Sequence, residues 1–432
     1  MTKVEACNAS DLSIHLDSHQ SFLPGQVITG YVSRTSRWVS TETNISITLH
    51  GKCNTEFFCP DSYLCRSSLE LFGQDGIRKE LFNGALHIQT TSLLDENKWR
   101  FAIDIPRHPD PSFLKSHPLG RASYLPLIYA DQHALPPSFD LGSSNDAVSR
   151  RGSAVVEYYL EAVMTTPSSS KPVVARIPVH IRCESSPFPI TDFDIKIHSR
   201  QSYTITSPLL NPAGIETTKV FMGQRIGKVL GLSRAGPRLT FCLEISVPSV
   251  LQKGSPYQVP FEMRAVPQWT DTSDCIANFP QTIYIKRLTI AVRSTSSIMG
   301  IASGAVSPVP AVREDQFVTK IILADYMKAK SVNQIDVQGI SSKNLLLDEH
   351  SSSNDSPLTL PISEKTTPLN IGQFLDLKLR DDQFQIDVPT FITYNIKRTY
   401  ELEWKMSLEI GGEMLKVKGR HPVLIMERTD QD

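Results

Sequence analysis

The residues of this chain with the greatest chemical potential are its 11 histidines and 7 cysteines. His15 and His19 stand at the i, i+4 spacing that lets two imidazoles share a metal when both lie on one face of a helix. Here His15 sits in Leu12-Ser13-Ile14-His15-Leu16, whose apolar residues alternate as in a strand, and His19 falls in the turn after it. The two rings are therefore not expected to converge. Cys53, Cys59 and Cys65 are six apart, and Cys7, Cys183, Cys242 and Cys275 are scattered. There is no C-x-x-C pair and no histidine at zinc spacing, so free thiols in a reducing compartment are expected. Gly231-Leu232-Ser233-Arg234-Ala235-Gly236 is one residue too long for a nucleophile elbow and lacks the strand-to-helix setting. Neither G-x-x-x-x-G-K-[ST] nor G-x-G-x-x-G occurs, which leaves nucleotide binding without support. These observations favour a chain that is not an enzyme and holds neither metal nor cofactor.

What positions such residues is a repeated strand–turn–strand. Leu12, Ile14 and Leu16 form one apolar face, Phe22 to Gln26 turns the chain at Pro24-Gly25, and Val27 to Val32 reads as a second strand. Pro24 fixes its own φ and Gly25 tolerates a positive one, so the pair can reverse the chain without strain. In the second half Phe241, Leu243 and Ile245 take the places of the apolar triplet, Leu251 answers Phe22, and Gly254 answers Gly25. In both copies the glycine follows the triplet by nine positions. Two similarly built β domains are the simplest arrangement, and 432 residues suit two cores better than one.

Composition agrees. Hydrophobic residues at 40% and charged residues at 21% are those of an ordinary folded protein, and a net charge of −1 argues against a nucleic-acid partner. Met1 to Ser10 has no apolar core of a signal peptide, and no apolar run approaches the ~18 residues of a membrane span.

The stretch F-x-P-G-Q-x-I-x-G-x-V, from Phe22 to Val32, resembles the opening strands of arrestin-like proteins. Leu135-Pro136-Pro137-Ser138-Phe139 is similar to a signature of the arrestin N-domain, and a strand follows at Val155–Met164. Leu86-His87-Ile88, Trp99–Pro106 and Pro389–Leu402 resemble the fungal members in particular. The resemblance implies an all-β chain of two tandem immunoglobulin-like, arrestin-type antiparallel sandwiches. The expected division is 1–190 for the first, 191–237 for its last strand and a connector, and 238–432 for the second. It further implies a cytosolic adaptor, peripheral at the plasma membrane or endosomes, that binds cytoplasmic tails of transporters or receptors and supports their endocytosis or sorting. A ubiquitin ligase would be reached through another adaptor, because the only P-P-x-aromatic is Pro136-Pro137-Ser138-Phe139, with Phe in place of the Tyr that WW domains read. Two alternatives stand beside it: a structural subunit of a retromer-like coat, and an arrestin fold with an unrelated partner.

Along the chain, strands dominate. Ile45, Ile47 and Leu49 alternate, as do Trp99, Phe101, Ile103 and Ile105 before Pro106. Leu81 to Gly84 is expected to end in an Asn-Gly turn, Arg107 to His133 to be a proline-bearing loop outside the core, and Ser294 to Pro310 to be small, polar and mobile. Ser341 to Pro368, rich in Ser, Thr and acid, is expected to be a loop or partly disordered. Only Val220 to Leu230 has helical periodicity, weakened by Gly223 and Gly227. Arg398 falls on the apolar phase of the last long alternation, so either a bulge lies there or the guanidinium is half-buried beside a carboxylate.

Between Arg200 and Arg238 there are six basic residues and one acidic one. This segment is either a solvated connector or a basic loop that touches anionic lipid headgroups, each cation contributing roughly 1 kcal/mol near the surface. If it is the latter, Lys219→Glu, Arg225→Glu and Lys228→Glu together lower binding to anionic liposomes and abolish its salt dependence. Unchanged cosedimentation leaves only the connector.

Overall fold

The computed structural model describes residues 12–17, 21–59, 63–88, 97–141, 152–167, 171–183, 188–211, 236–276, 279–302, 310–313, 318–327, 358–363, 367–379 and 388–428. The fold is all-β, with only short helical turns among these residues. Leu12–Leu16, Val27–Arg34 and Asn97–Asp104 form an antiparallel sheet centred on the second of them, with Ile14 opposite Val32 and Ile28 opposite Ile103. Trp38–Phe58 is the centre of a second group. Ile77–Ile88 and Leu64–Glu70 pair along one of its edges, Ser153–Thr165 along the other, and Val173–Ile181 lies beyond. Alternation decides which side chains turn inward. Ile14, Ile28, Val32, Phe101 and Ile103 meet Ile45, Ile47, Leu49, Val156 and Leu160 in one apolar core.

The second half builds another core from Phe241, Leu243, Ile245 and Met263 against Ile285, Leu288, Leu402, Trp404 and Met406. Its strands are Ile195–Thr206, Arg238–Pro248 and Glu262–Pro267 on one side, and Gln281–Ala302, Ile396–Ile410 and Glu413–Met426 on the other. Each fully buried aliphatic side chain contributes about 1.5–3 kcal/mol.

The two glycine turns occupy equivalent places. Ser21–Phe22 runs parallel to His180–Ile181, and Val250–Gln252 runs parallel to Leu424–Met426. Gly25 follows with φ +87° and Gly254 with φ +67°. Their amides donate to Ile105 O at 2.9 Å and Leu379 O at 3.0 Å. The chain then pairs antiparallel with the strand that preceded the turn, Leu16 opposite Gly30 and Ile245 opposite Met263.

Several expectations are corrected. Ile77–Ile88 is continuous through Asn83-Gly84, because Trp38–Phe58 pairs on both sides of that dipeptide with a register shift between Ser40 and Thr43. The 107–133 stretch is not outside the core: a short helix at Pro111–Leu114 and two 3-10 turns deliver Leu114, Leu119, Leu127 and Ala130 to it. Gln281–Ala302 runs on into the segment expected to be mobile, as far as Ala302, and Thr359–Ile362 within 341–368 is a strand beside it. Ile195–Thr206 was expected to close the first half, yet it pairs along its length with Arg238–Pro248 and sends Ile205 into the second core. Cys59 and Cys65 are joined in a disulfide, Cα to Cα 6.6 Å, rather than both being thiols. That pairing removes the redox argument for a reducing compartment. Val220 to Leu230 lies outside the described residues.

Gly25→Val and Gly254→Val are each expected to cost about 1–3 kcal/mol in urea unfolding, since a β-branched residue is strained at positive φ. At Gly25 a Cβ would meet only the Arg107 side chain, at 3.0 Å from Nε, so the loss there comes mainly from backbone strain. An unchanged unfolding midpoint for one variant beside a clear loss for the other contradicts the equivalence of the turns.

Candidate functional site

The feature that joins the two cores is built on Gln281–Ala302. Its first half packs Ile283, Ile285, Leu288 and Ile290 in the second core, and its end packs Ile298 and Met299 in the first. Between them Ser294, Ser296 and Ser297 are buried. Small side chains are needed here because other strands come close. A Cβ on Gly300 would lie 3.0 Å from Arg66 N, where Ile301 and Ala302 pair with Arg66 and Cys65 of the first half. The other contributor is Thr390 to Ile396, which sends Phe391, Tyr394 and Ile396 into the first core.

A polar seam lines this crossing. Thr55 Oγ1 donates to Met299 O at 2.6 Å. Asn395, fully buried, donates through Nδ2 to Cys53 O at 3.1 Å and to Ser67 Oγ at 3.3 Å. Its own carbonyl accepts from Met299 N at 2.9 Å. Thr393 Oγ1 lies 3.6 Å from Cys53 Sγ, and Tyr124 N donates to Tyr394 O at 3.0 Å. Five of these links run between residues more than 240 apart in sequence.

Arg398 stands at the edge of the seam, half-buried and in phase, with no register shift at its pairings with Ser296 and Phe391. The carboxylate expected beside it is not found among the described residues. Its Nη1 instead donates to Ser296 Oγ at 2.6 Å and its Nε to Tyr400 Oη at 3.3 Å. The guanidinium lies 5.3 Å from the Tyr400 ring and 6.0 Å from that of Phe139. Partial exposure and aromatic faces make a counter-ion unnecessary. Phe139 in turn meets Phe391 edge-on, centroids 5.1 Å apart.

The Leu135–Phe139 motif belongs to this junction. Leu135, Pro136, Pro137 and Phe139 are all buried, and Pro136 O accepts from Tyr158 Oη at 2.7 Å. Pro24 is buried beside the Gly25 turn. His15 stacks on Tyr31 at 4.8 Å, while His19, Lys219, Arg225 and Lys228 lie outside the described residues.

The chemistry of the junction is that of holding. Burial pushes the Cys53 thiol up to about 12, only partly countered by Thr393, so it stays protonated and poorly nucleophilic at neutral pH. Burial also raises Tyr158 and Tyr394 and lowers His133, with Asp131 acting against the shift at His133. Among the described residues no three of His, Cys, Asp and Glu converge on a point that a metal could occupy. Likewise no helix among them is long and apolar enough to cross a membrane. Thr55, Ser67, Ser296, Thr393 and Asn395 carry the seam, and none was flagged by sequence. Polar residues in alternating strands normally face water, and nothing in the period distinguishes these. Neither a comparison with known protein families nor one with curated proteins returned a match.

Thr55→Val is isosteric and leaves Met299 O without its hydroxyl donor. The expected loss is about 1–3 kcal/mol in urea unfolding, the cost of an unsatisfied buried acceptor. A change below about 0.5 kcal/mol would show that the seam adds little to stability.

Proposed function

We propose that the chain is a non-catalytic cytosolic adaptor with two tandem arrestin-type sandwiches. It engages cytoplasmic tails of membrane transporters or receptors and supports their endocytosis or sorting. The observation that carries this reading is the pair of apolar cores joined by a buried polar seam, each with the same glycine turn after a parallel strand contact. Such a body offers sheet edges and faces for recognition, and the buried Cys53 thiol is not poised for nucleophilic attack. The resemblance of Phe22 to Val32 and of Leu135 to Phe139 to arrestin-like proteins supplies the class of partner. Anionic lipid headgroups fit the same reading through Lys219, Arg225 and Lys228. A ubiquitin ligase would be recruited indirectly, because Pro136 and Pro137 are packed inside and are not displayed as a WW ligand.

The test is crosslinking capture with the purified chain as bait, from detergent-solubilised membranes and from the soluble fraction in parallel. Integral membrane proteins are expected in the first, and their cytoplasmic tails, synthesised as peptides, should bind the purified chain at micromolar Kd. Recovery of a stoichiometric soluble complex, with no membrane protein and no tail binding, overturns the adaptor in favour of a coat subunit.

A further inference from the structure

Along one side of the second core, among the described residues, Ile195–Thr206 is the last strand of its ladder and faces Glu413–Met426 of the other sheet. Ile195–Thr206 pairs with one neighbour, Arg238–Pro248, and has no second strand partner among the described residues. Most of its side chains are exposed, Ile195 by 46% and Ile197 by 50%, so apolar burial holds its leading half weakly. A register shift between Ile197 and Ser199 loosens the ladder there as well.

His198 spans the gap. Its ring stands edge-on to Trp404 at 5.0 Å, and Trp404 is buried in the second core. His198 Nδ1 lies 3.1 Å from His421 Nδ1, on the opposite sheet. His421 is held in turn through Nε2 by Ser249 Oγ at 3.2 Å. We propose that the His198–His421 contact is a pH-sensitive latch, which ties Ile195–Thr206 to Glu413–Met426 and releases the leading half of Ile195–Thr206 when both rings are protonated.

The hydrogen bonding dictates this behaviour. Two Nδ1 atoms at this distance bond only if one donates N–H and the other offers a lone pair. One added proton leaves an acceptor in place. A second removes it and sets two like charges against each other, so the rings titrate as a coupled pair. The charged groups that face them are Lys196 and Asp194, an ion pair at 2.7 Å on the strand's approach. From the opposite sheet Leu402 stands across from His421 and Trp404 meets His198, both uncharged.

Burial lowers His198 from its ordinary 6.5, and burial, His198 and Lys196 lower His421 against the pull of Asp194. The neutral rings are thus favoured in the fold. Their contribution is complete above about 6.5 and is lost as pH falls below it toward the lowered values.

Hydrogen exchange of the Ile195–Arg200 amides, corrected for intrinsic rates, tests the latch at about pH 7.5 and about pH 5. Protection should fall at least about tenfold at the lower pH, while Leu402–Leu408 keeps its own. In His421→Phe, protection of the same amides should no longer change between the two pH values beyond any change in Leu402–Leu408. His421→Gln, a neutral polar replacement, serves if the phenylalanine variant does not fold. Unchanged protection in the wild-type chain overturns the proposal, as does an equal acid loss in the variant.

Discussion

A strand that leaves one apolar core and enters another must carry its polar backbone through a region without water. Gln281–Ala302 does this, and every other feature of the junction answers that constraint. A buried peptide group without a partner is costly, so donors and acceptors must be brought to it. Thr55 supplies a hydroxyl to Met299 O, and the Asn395 backbone accepts from Met299 N. The Asn395 side chain then carries the connection onward to Cys53 O and Ser67 Oγ. The first half reaches the crossing through Trp38–Phe58 and Leu64–Glu70, and the second through the chain around Asn395. The crossing strand is thereby held on two sides.

This arrangement couples the cores in a particular way. An apolar contact tolerates sliding, whereas short hydrogen bonds between buried groups fix one register. Arg398 completes the pattern at the rim, where a hydroxyl and two aromatic faces take the place of a counter-ion. Tyr394 Oη and Asn395 Oδ1 have no hydrogen-bond partner among the described residues, so the seam is tight without being saturated.

Much of the architecture was legible in the sequence where alternation is clean. Ile45, Ile47 and Leu49, the run from Trp99 to Ile105, and the paired turns at Gly25 and Gly254 all follow from period and turn chemistry. What escaped was set by tertiary contact. Ser294 to Ala302 has the composition of a loop, yet its smallness is what permits strands to approach at Gly300. Arg107 to His133 has the prolines of a loop, yet its leucines are buried. Thr393 and Asn395 occupy the polar phase of an alternating run, and contact with Cys53 and Ser67 of the first half is what buries them. The sequence places Ile195–Thr206 with the first half by its position in the chain, because most of its side chains are exposed and little in them marks the core it joins.

The coupling of the two cores can be measured directly at one amide. Met299 N–H is bonded to Asn395 O at the centre of the crossing. Native-state hydrogen exchange in rising sub-denaturing urea should show this proton exchanging with the same free energy and urea dependence as Leu402 and Leu160, one from each core. That is the signature of exchange through global unfolding alone. A Met299 amide that opens at markedly lower free energy, with little dependence on urea, would contradict the account by showing that the seam parts while both cores stay folded.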